Sequence, residues 1–176
     1  MAVESTLVIV KPDGVRRGLI GMVISRLEQC GLTIVSMKMV EATKELIGRH
    51  YAEDPTWLDT AGSRAISTMT DAGMDWKELT GADNTMDVGR AIRNRLMVYM
   101  TSGPVAVIIA RGPQAVGKVR QIIGSTVPLD AAPGSIRGTY CTDDVISSFN
   151  EKRALENVIH ASGSVDEASQ EIALWF

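Results

Sequence analysis

Four short apolar runs of strand length, separated by residues at helical spacing, constrain this chain more than any other feature. Leu7-Val8-Ile9-Val10 is the first, and Lys11-Pro12-Asp13-Gly14 ends it with turn chemistry. Ile20, Val23, Ile24 and Leu27 then recur at helical spacing, and Gly31 supplies a stop. Leu32 to Val40 reads as a second strand, after which Thr43 is placed to cap a helix running to about Tyr51. Val105 to Ala110, rich in β-branched residues, is a third strand. Pro113 is predicted to open a helix at its first position, with Val116, Val119, Ile122 and Ile123 on its buried face. Asn157 to His160 ends a fourth strand, and Ser164 with Glu167 has the spacing of a capping box for a final helix. Two βαβ-like halves of this kind predict an α+β chain, a ferredoxin-like split β-α-β sandwich. Its four-stranded antiparallel sheet would carry helices packed on it. A doubly wound sheet is the competing architecture.

Two stretches fall outside that plan. Residues 54–91 are rich in Thr, Asp and Gly and hold Trp57 and Trp76. Trp57, Ala61, Ala65 and Met69 are spaced four apart, which predicts a small amphipathic helix. The stretch is too short for a core of its own, so it reads as a helical insertion within one domain spanning residues 1–176. Residues 133–156 form a second long connection, from Pro133-Gly134 to Glu151-Lys152-Arg153, of the kind that often carries function.

Composition narrows the classes. Of 176 residues 45% are apolar and 22% charged, an ordinary globular balance that argues against disorder. The net charge of -3 argues against a dedicated nucleic-acid surface, which needs a basic footprint. A few converging cations can still hold a phosphate. Cys30 and Cys141 belong to no C-x-x-C pair, so they read as small apolar residues in a reducing compartment. The N-terminus lacks a basic region followed by an apolar one, and no apolar run approaches the ~20 residues of a membrane span. A cytoplasmic protein with no membrane partner is the expectation.

One near-motif is kept only as a weak alternative, a P-loop NTPase. Gly112 to Val119 spells G-x-x-x-x-G-K, but Val119 stands where a P-loop needs a hydroxyl for the metal ion. The two histidines separate by context. His50 sits late in a helix, where a cation is mildly favourable, and reads as structural or surface. His160 ends an apolar strand before the turn Ser162-Gly163-Ser164, so its ring is presented at the sheet edge. Imidazole there suits a nucleophile, because its neutral form is well populated at pH 7. Glu171, two helical turns past Ser164, is placed to orient the ring. Lys11, Arg120, Thr126 and Arg137 together offer an ammonium, two guanidinium forks and a hydroxyl, equipment suited to a polyphosphate.

Five segments, in order along the chain, resemble nucleoside diphosphate kinases, and they hold Lys11, Thr126, Arg137, His160 and Glu171 but not Arg120. The segments are Thr6 to Gly21, Met100 to Val105, Ile123 to Thr126 with Ala131 to Gly138, Asn157 to Ser162, and Ser164 to Phe176. The resemblance implies γ-phosphoryl transfer from ATP to nucleoside and deoxynucleoside diphosphates, by a ping-pong route through a phosphohistidine. It implies His160 as the phosphorylated residue, at Nδ1, with Ser162 and Glu171 supporting it. It implies Lys11, Tyr51, Arg120, Thr126 and Arg137 as phosphate ligands, with Lys11 and Asn157 also on the sugar 3′-hydroxyl. Mg²⁺ would arrive on the nucleotide, with no metal ligand from the protein. A homo-oligomer, hexameric or tetrameric, is also implied. The runner-up is a catalytically weakened nucleotide- or nucleic-acid-binding module on the same fold.

The chain departs from the family pattern in three places. The segment between Tyr51 and Met100 is long, and counting back from Tyr99-Met100 puts Ile92 where the family has a base-stacking Phe. Trp57 or Trp76 would substitute if the insertion folds over the site. Gly163 replaces an Asp, and the loop between Arg137 and Asn157 is lengthened. Arg90, Arg93 and Arg95 end the insertion at near-helical spacing. They read as a solvated face, or with one of them approaching the terminal phosphates.

Overall fold

A computed structural model describes residues 2–176. The strands are β1 (Val3–Val10), β2 (Thr33–Val40), β3 (Val105–Pro113) and β4 (Ile159–Ala161). They form one sheet in the order β2-β3-β1-β4, with every pairing antiparallel. This is the ferredoxin-like arrangement expected, and the doubly wound alternative is gone. The helices are α1 (Pro12–Arg16), α2 (Ile20–Gln29), α3 (Lys44–His50), α4 (Pro55–Asp71), α5 (Trp76–Thr80), α6 (Thr85–Met100), α7 (Ala115–Ile123), α8 (Ile136–Tyr140), α9 (Val145–Asn150) and α10 (Val165–Trp175).

The apolar runs explain why both sheet faces are covered. Successive strand residues point to opposite faces. In β1, Val8 and Val10 pack with Val23 and Leu27 of α2 and Val119 and Ile123 of α7. Leu7 and Ile9 pack on the other face with Ile47 of α3, Tyr99 and Met100 of α6, and Trp175 of α10. A strand buried on both sides reads as continuous apolar sequence, as β1 and β3 do.

Several local expectations hold and a few shift. Thr43 accepts the amide of Leu46 at 3.2 Å, and Ser164 accepts that of Glu167 at 3.1 Å. The Glu167 carboxylate, however, takes the amide of Gly163 at 2.8 Å rather than that of the cap residue. Pro113 ends β3 instead of opening a helix. Gln114 turns the chain at φ 53°, and α7 starts at Ala115. Asn157 and Val158 precede β4 rather than lying in it, because Val158 adopts φ 64° and breaks the extended run.

The stretch read as an insertion is helical, but α6 runs through residue 91 without a break. The small helix expected there is the 17-residue α4, with Leu58, Gly62, Ala65 and Met69 buried. Helices α4 and α6 meet backbone to backbone. A Cβ on Gly62 would overlap the carbonyl of Thr85, and one on Gly89 the carbonyl of Leu58. Ala65, Met69 and Val88 from this pair join Val145 and Phe149 of α9 in a third apolar cluster. The two lengthened segments therefore pack on each other.

Candidate active site

A cleft of about 790 Å³ opens between the sheet end and the α4–α6 pair. Eight of the side chains expected at a nucleotide site line it: Lys11, Tyr51, Arg120, Thr126, Arg137, Asn157, His160 and Glu171. Ser162 lies behind, fully buried.

The chemistry starts at the end of β4. Glu171, one face of α10, reaches back with both carboxylate oxygens. Oε1 lies 2.7 Å from Nε2 of His160, and Oε2 accepts the Ser162 hydroxyl at 2.6 Å. Ser162 Oγ in turn accepts the amide of Leu7 at 3.3 Å. A carboxylate beside Nε2 holds the proton there and leaves the lone pair on Nδ1. Burial, with Lys11 and Arg137 nearby, presses the His160 pKa down to about 3, so the ring is neutral at pH 7. Burial also raises the Glu171 pKa, against the pull of His50 and the Ser162 hydrogen bond.

His50 was read as a structural or surface residue, and the structure corrects the surface part. Its side chain is fully buried, and its ring meets that of His160 edge-on at 4.6 Å. Desolvation, then His160, lowers its pKa to about 3, so no helix-end cation exists. Its neighbour Tyr51 also packs at 6.3 Å from His160, and burial raises the Tyr51 pKa. Sequence carried one signal of this, an i, i+1 His-Tyr pair at the end of a helix. Nothing in its spacing showed the pair facing the sheet edge.

Lys11 is 5% exposed, and its ammonium donates to Oδ1 of Asn157 at 2.6 Å. Burial and then Arg137 bring the Lys11 pKa down to about 7. Asn157 donates its own amide to the carbonyl of Thr126 at 2.7 Å. Both sit against the left-handed Val158, whose amide donates to Asp13 Oδ2 at 3.1 Å and whose carbonyl accepts the Lys11 amide at 2.8 Å. Tyr99 donates to the other oxygen of Asp13. A β-branched residue at positive φ costs of order 1–3 kcal/mol, and these bonds offset it.

Arg137 is committed further than its sequence position suggested. Its donors reach the carbonyls of Gly124, Ser125, Asn157 and Ile159 at 2.6–3.3 Å. Four of the five guanidinium hydrogens are thus used, leaving one on Nη2. Arg137 fixes the walls of the cleft as much as it faces into it. Arg120, one turn before the end of α7, is exposed at the rim.

The departures resolve unevenly. Trp57, Ile92 and Phe149 line the cleft; Trp76 does not, packing instead in the third cluster. Arg90 pairs with Asp87 and Glu53 on the outside, and Arg93 donates to the carbonyl of Tyr51 at 2.7 Å. Arg95 alone of the three lines the cleft. Arg95 was one of three arginines weighed for the site; Phe149 was not singled out, because its meeting with Arg95 depends on how the two lengthened segments pack. His50, His160 and Glu171 each offer a ligand atom within 4.8 Å of the others. The Nδ1 of His50 is already occupied by the indole N–H of Trp175 at 3.2 Å. Among the described residues no helix is long and apolar enough to cross a membrane.

The sequence matches the family model described as nucleoside diphosphate kinase over residues 4–87 and 85–176. A nucleoside diphosphate kinase of Pyrobaculum aerophilum is 45% identical over all of this chain and 96% of its own length. Nucleoside diphosphate kinase 3 of Homo sapiens is 36% identical over 98% of this chain and 77% of its own. Among solved structures, an NDP kinase from Pyrobaculum aerophilum superposes with a TM-score of 0.95 at 43% identity, covering 99% of this chain and 96% of the other. A transition-state mimic of nucleoside-diphosphate kinase from Borrelia burgdorferi, with bound vanadate and ADP, gives 0.77 at 32%, covering 99% and 87%. With its sheet topology, its cation-lined cleft and these matches across its length, the chain belongs to the nucleoside diphosphate kinase family, phosphotransferases that act on nucleotides.

Proposed function

We propose that this chain moves the γ-phosphate of ATP onto nucleoside and deoxynucleoside diphosphates in two half-reactions at one site. The observation that carries the reading is the His160 ring in the cleft, with Nε2 2.7 Å from Glu171 Oε1 and Nδ1 left as the nucleophile. In the first half, Nδ1 attacks the γ-phosphorus and the bond to the bridging oxygen of ADP breaks. Glu171 keeps the Nε2 proton in place as positive charge grows on the ring. Lys11, Arg120 and the remaining N–H of Arg137 neutralise the phosphates, the main protein contribution in phosphoryl transfer. Thr126 and Tyr51 add hydroxyls, and Lys11 with Asn157 holds the sugar 3′-hydroxyl. In the second half, an acceptor diphosphate occupies the same positions and takes the phosphoryl group from Nδ1.

The phosphate end of the cleft is lined by cations, and its one buried carboxylate, Glu171, is engaged with His160 and Ser162. That donor set suits Mg²⁺ carried by the nucleotide phosphates rather than by protein ligands. The fold is read as one domain, with 54–91 an insertion that walls the cleft. Strand β2 is a sheet edge on which Val35, Met37 and Met39 are about half exposed, which supports a homo-oligomer, a hexamer or a tetramer. A cytoplasmic setting agrees with two free thiols. The weakened-module alternative is disfavoured, because every expected phosphate and sugar ligand stands at the cleft.

Incubation with γ-labelled ATP and Mg²⁺ tests the reading. It should give an acid-labile, alkali-stable phosphoprotein that passes its label to GDP. His160→Ala should give none. A labelled His160→Ala protein, or an unlabelled wild type, overturns it.

A further inference from the structure

The cleft holds a cation, Arg95, that is not among the phosphate and sugar ligands proposed above. Arg95 stands three residues after Ile92 on α6, so the two share a helix face, and both line the cleft. Its guanidinium carbon lies 4.4 Å from the ring centroid of Phe149. Nη1 of Arg95 is buried and has no hydrogen-bond partner among the described residues. Its neighbours differ. Arg153 is held by Asp143 at 2.5 and 2.8 Å, and Arg93 by main-chain carbonyls. A cationic donor buried without an acceptor is costly in the empty cleft, and an acceptor that comes with the ligand removes that cost.

The proposed function, on which this step rests, leaves only one part of the nucleotide for this wall. The phosphates and sugar belong to His160, Lys11, Arg120, Arg137 and Asn157. Trp57, Ile92 and Phe149 are then left to the base. Base faces stack on apolar and aromatic side chains and carry little identity; base edges carry it. Guanine presents two adjacent acceptors, N7 and O6, and uracil or thymine presents O4. Adenine and cytosine place an amino donor at the corresponding position. Arginine only donates.

We propose that Arg95, pinned on Phe149, reads the base edge and favours keto over amino bases, with guanine preferred. A guanidinium facing an amino group sets donor against donor, whereas facing O6 or O4 it forms a charge-assisted bond. Selectivity would then come from the lengthened segments, since Arg95 and Phe149 meet only because α9 packs on the α4–α6 pair.

The test compares kcat/KM for GDP, IDP, ADP, UDP and CDP as acceptors from the phosphoenzyme. GDP and IDP should exceed ADP by about tenfold, and UDP should exceed CDP in the same sense. IDP lacks the 2-amino group, so its likeness to GDP assigns the reading to O6 and N7. In Arg95→Met the keto-to-amino ratios should fall toward one. Arg95→Lys keeps charge and stem but loses the planar fork, and its ratios should fall as well; it decides the matter if the first variant does not fold. Ratios near one in the wild type, or ratios unchanged in both variants, overturn the proposal. Equal loss for all five acceptors places Arg95 on the phosphates and overturns it too. Failure of the underlying function shows separately, as no phosphoenzyme from ATP whichever acceptor is offered.

Discussion

Trp175 donates its indole N–H to Nδ1 of His50 at 3.2 Å, and that bond sets the His50 tautomer. Indole is a donor only, so Nδ1 must accept and the His50 proton sits on Nε2. Nδ1 is also 3.5 Å from Oε1 of Glu171, the oxygen that orients His160. With its lone pair turned to Trp175, His50 cannot compete with His160 for that oxygen.

Trp175→Phe releases this restraint. His50 can then carry its proton on Nδ1 and bond Glu171, loosening the His160 tautomer. A hydrogen bond to a charged group is worth about 1.5–3 kcal/mol, so phosphoenzyme formation should slow by about ten- to a hundredfold. Rapid-quench phosphorylation at saturating ATP measures it, with a thermal melt to confirm folding. An unchanged rate in a folded variant would show that the Trp175 bond is not what keeps His50 away.

The Lys11 ammonium gives the free enzyme an alkaline limb. Its pKa is lowered to about 7 by burial and Arg137, so the empty site loses this charge as pH rises through 7. Bound phosphates favour the charged form. We therefore expect kcat/KM for nucleotide to fall above about pH 7 while kcat stays flat, since the two parameters report free and bound enzyme respectively. Parallel profiles would contradict a Lys11 origin.

Acid stability follows from the two histidines. Their folded pKa values are near 3, against an ordinary value of 6.5. Below 6.5 the unfolded chain binds protons that the folded chain refuses. Stability is therefore full above about pH 6.5 and is lost as pH falls toward 3. Each ring contributes a slope approaching about 1.4 kcal/mol per pH unit. Glu171, with its pKa raised, works in the opposite sense. Urea midpoints between pH 7 and 5 should fall, and His50→Gln should flatten the trend.

The α4–α6 contact has no room for a methyl group at two points. A Cβ at Gly62 or at Gly89 meets main-chain carbonyls, which cannot swing aside as a side chain would. Gly62→Ala should destabilise the protein by about 1–3 kcal/mol or more and raise KM for nucleotide. The wall carrying Trp57 and Ile92 would be displaced while His160 stays on the sheet. Chemical denaturation and steady-state kinetics read the two effects.

Strands β1 and β3 were legible from sequence because they are buried on both faces and so read as unbroken apolar runs. The supporting pair Ser162 and Glu171 was legible for a similar reason: a strand end, a short turn and a capped helix leave little freedom. His50 was not, because a residue's exposure late in a helix depends on what the helix packs against. Arg137 was legible as a candidate phosphate ligand but not as a wall-fixing group, since its carbonyl partners lie on Gly124, Ser125, Asn157 and Ile159, which only the fold brings together. The start of α7 was misplaced by two residues because Gln114, not Pro113, makes the turn.

The third apolar cluster joins residues more than 50 positions apart in the chain, through α4, α6 and α9, while Ile159 and Ala161, which flank His160 on β4, pack in the first. Such a patch can open as a cooperative unit with its own free energy, short of global unfolding. Amide exchange in α4 and α9 should then outpace that in β1 and β3. Changes in this patch would alter how fast nucleotides enter and leave without touching the machinery that moves the phosphate.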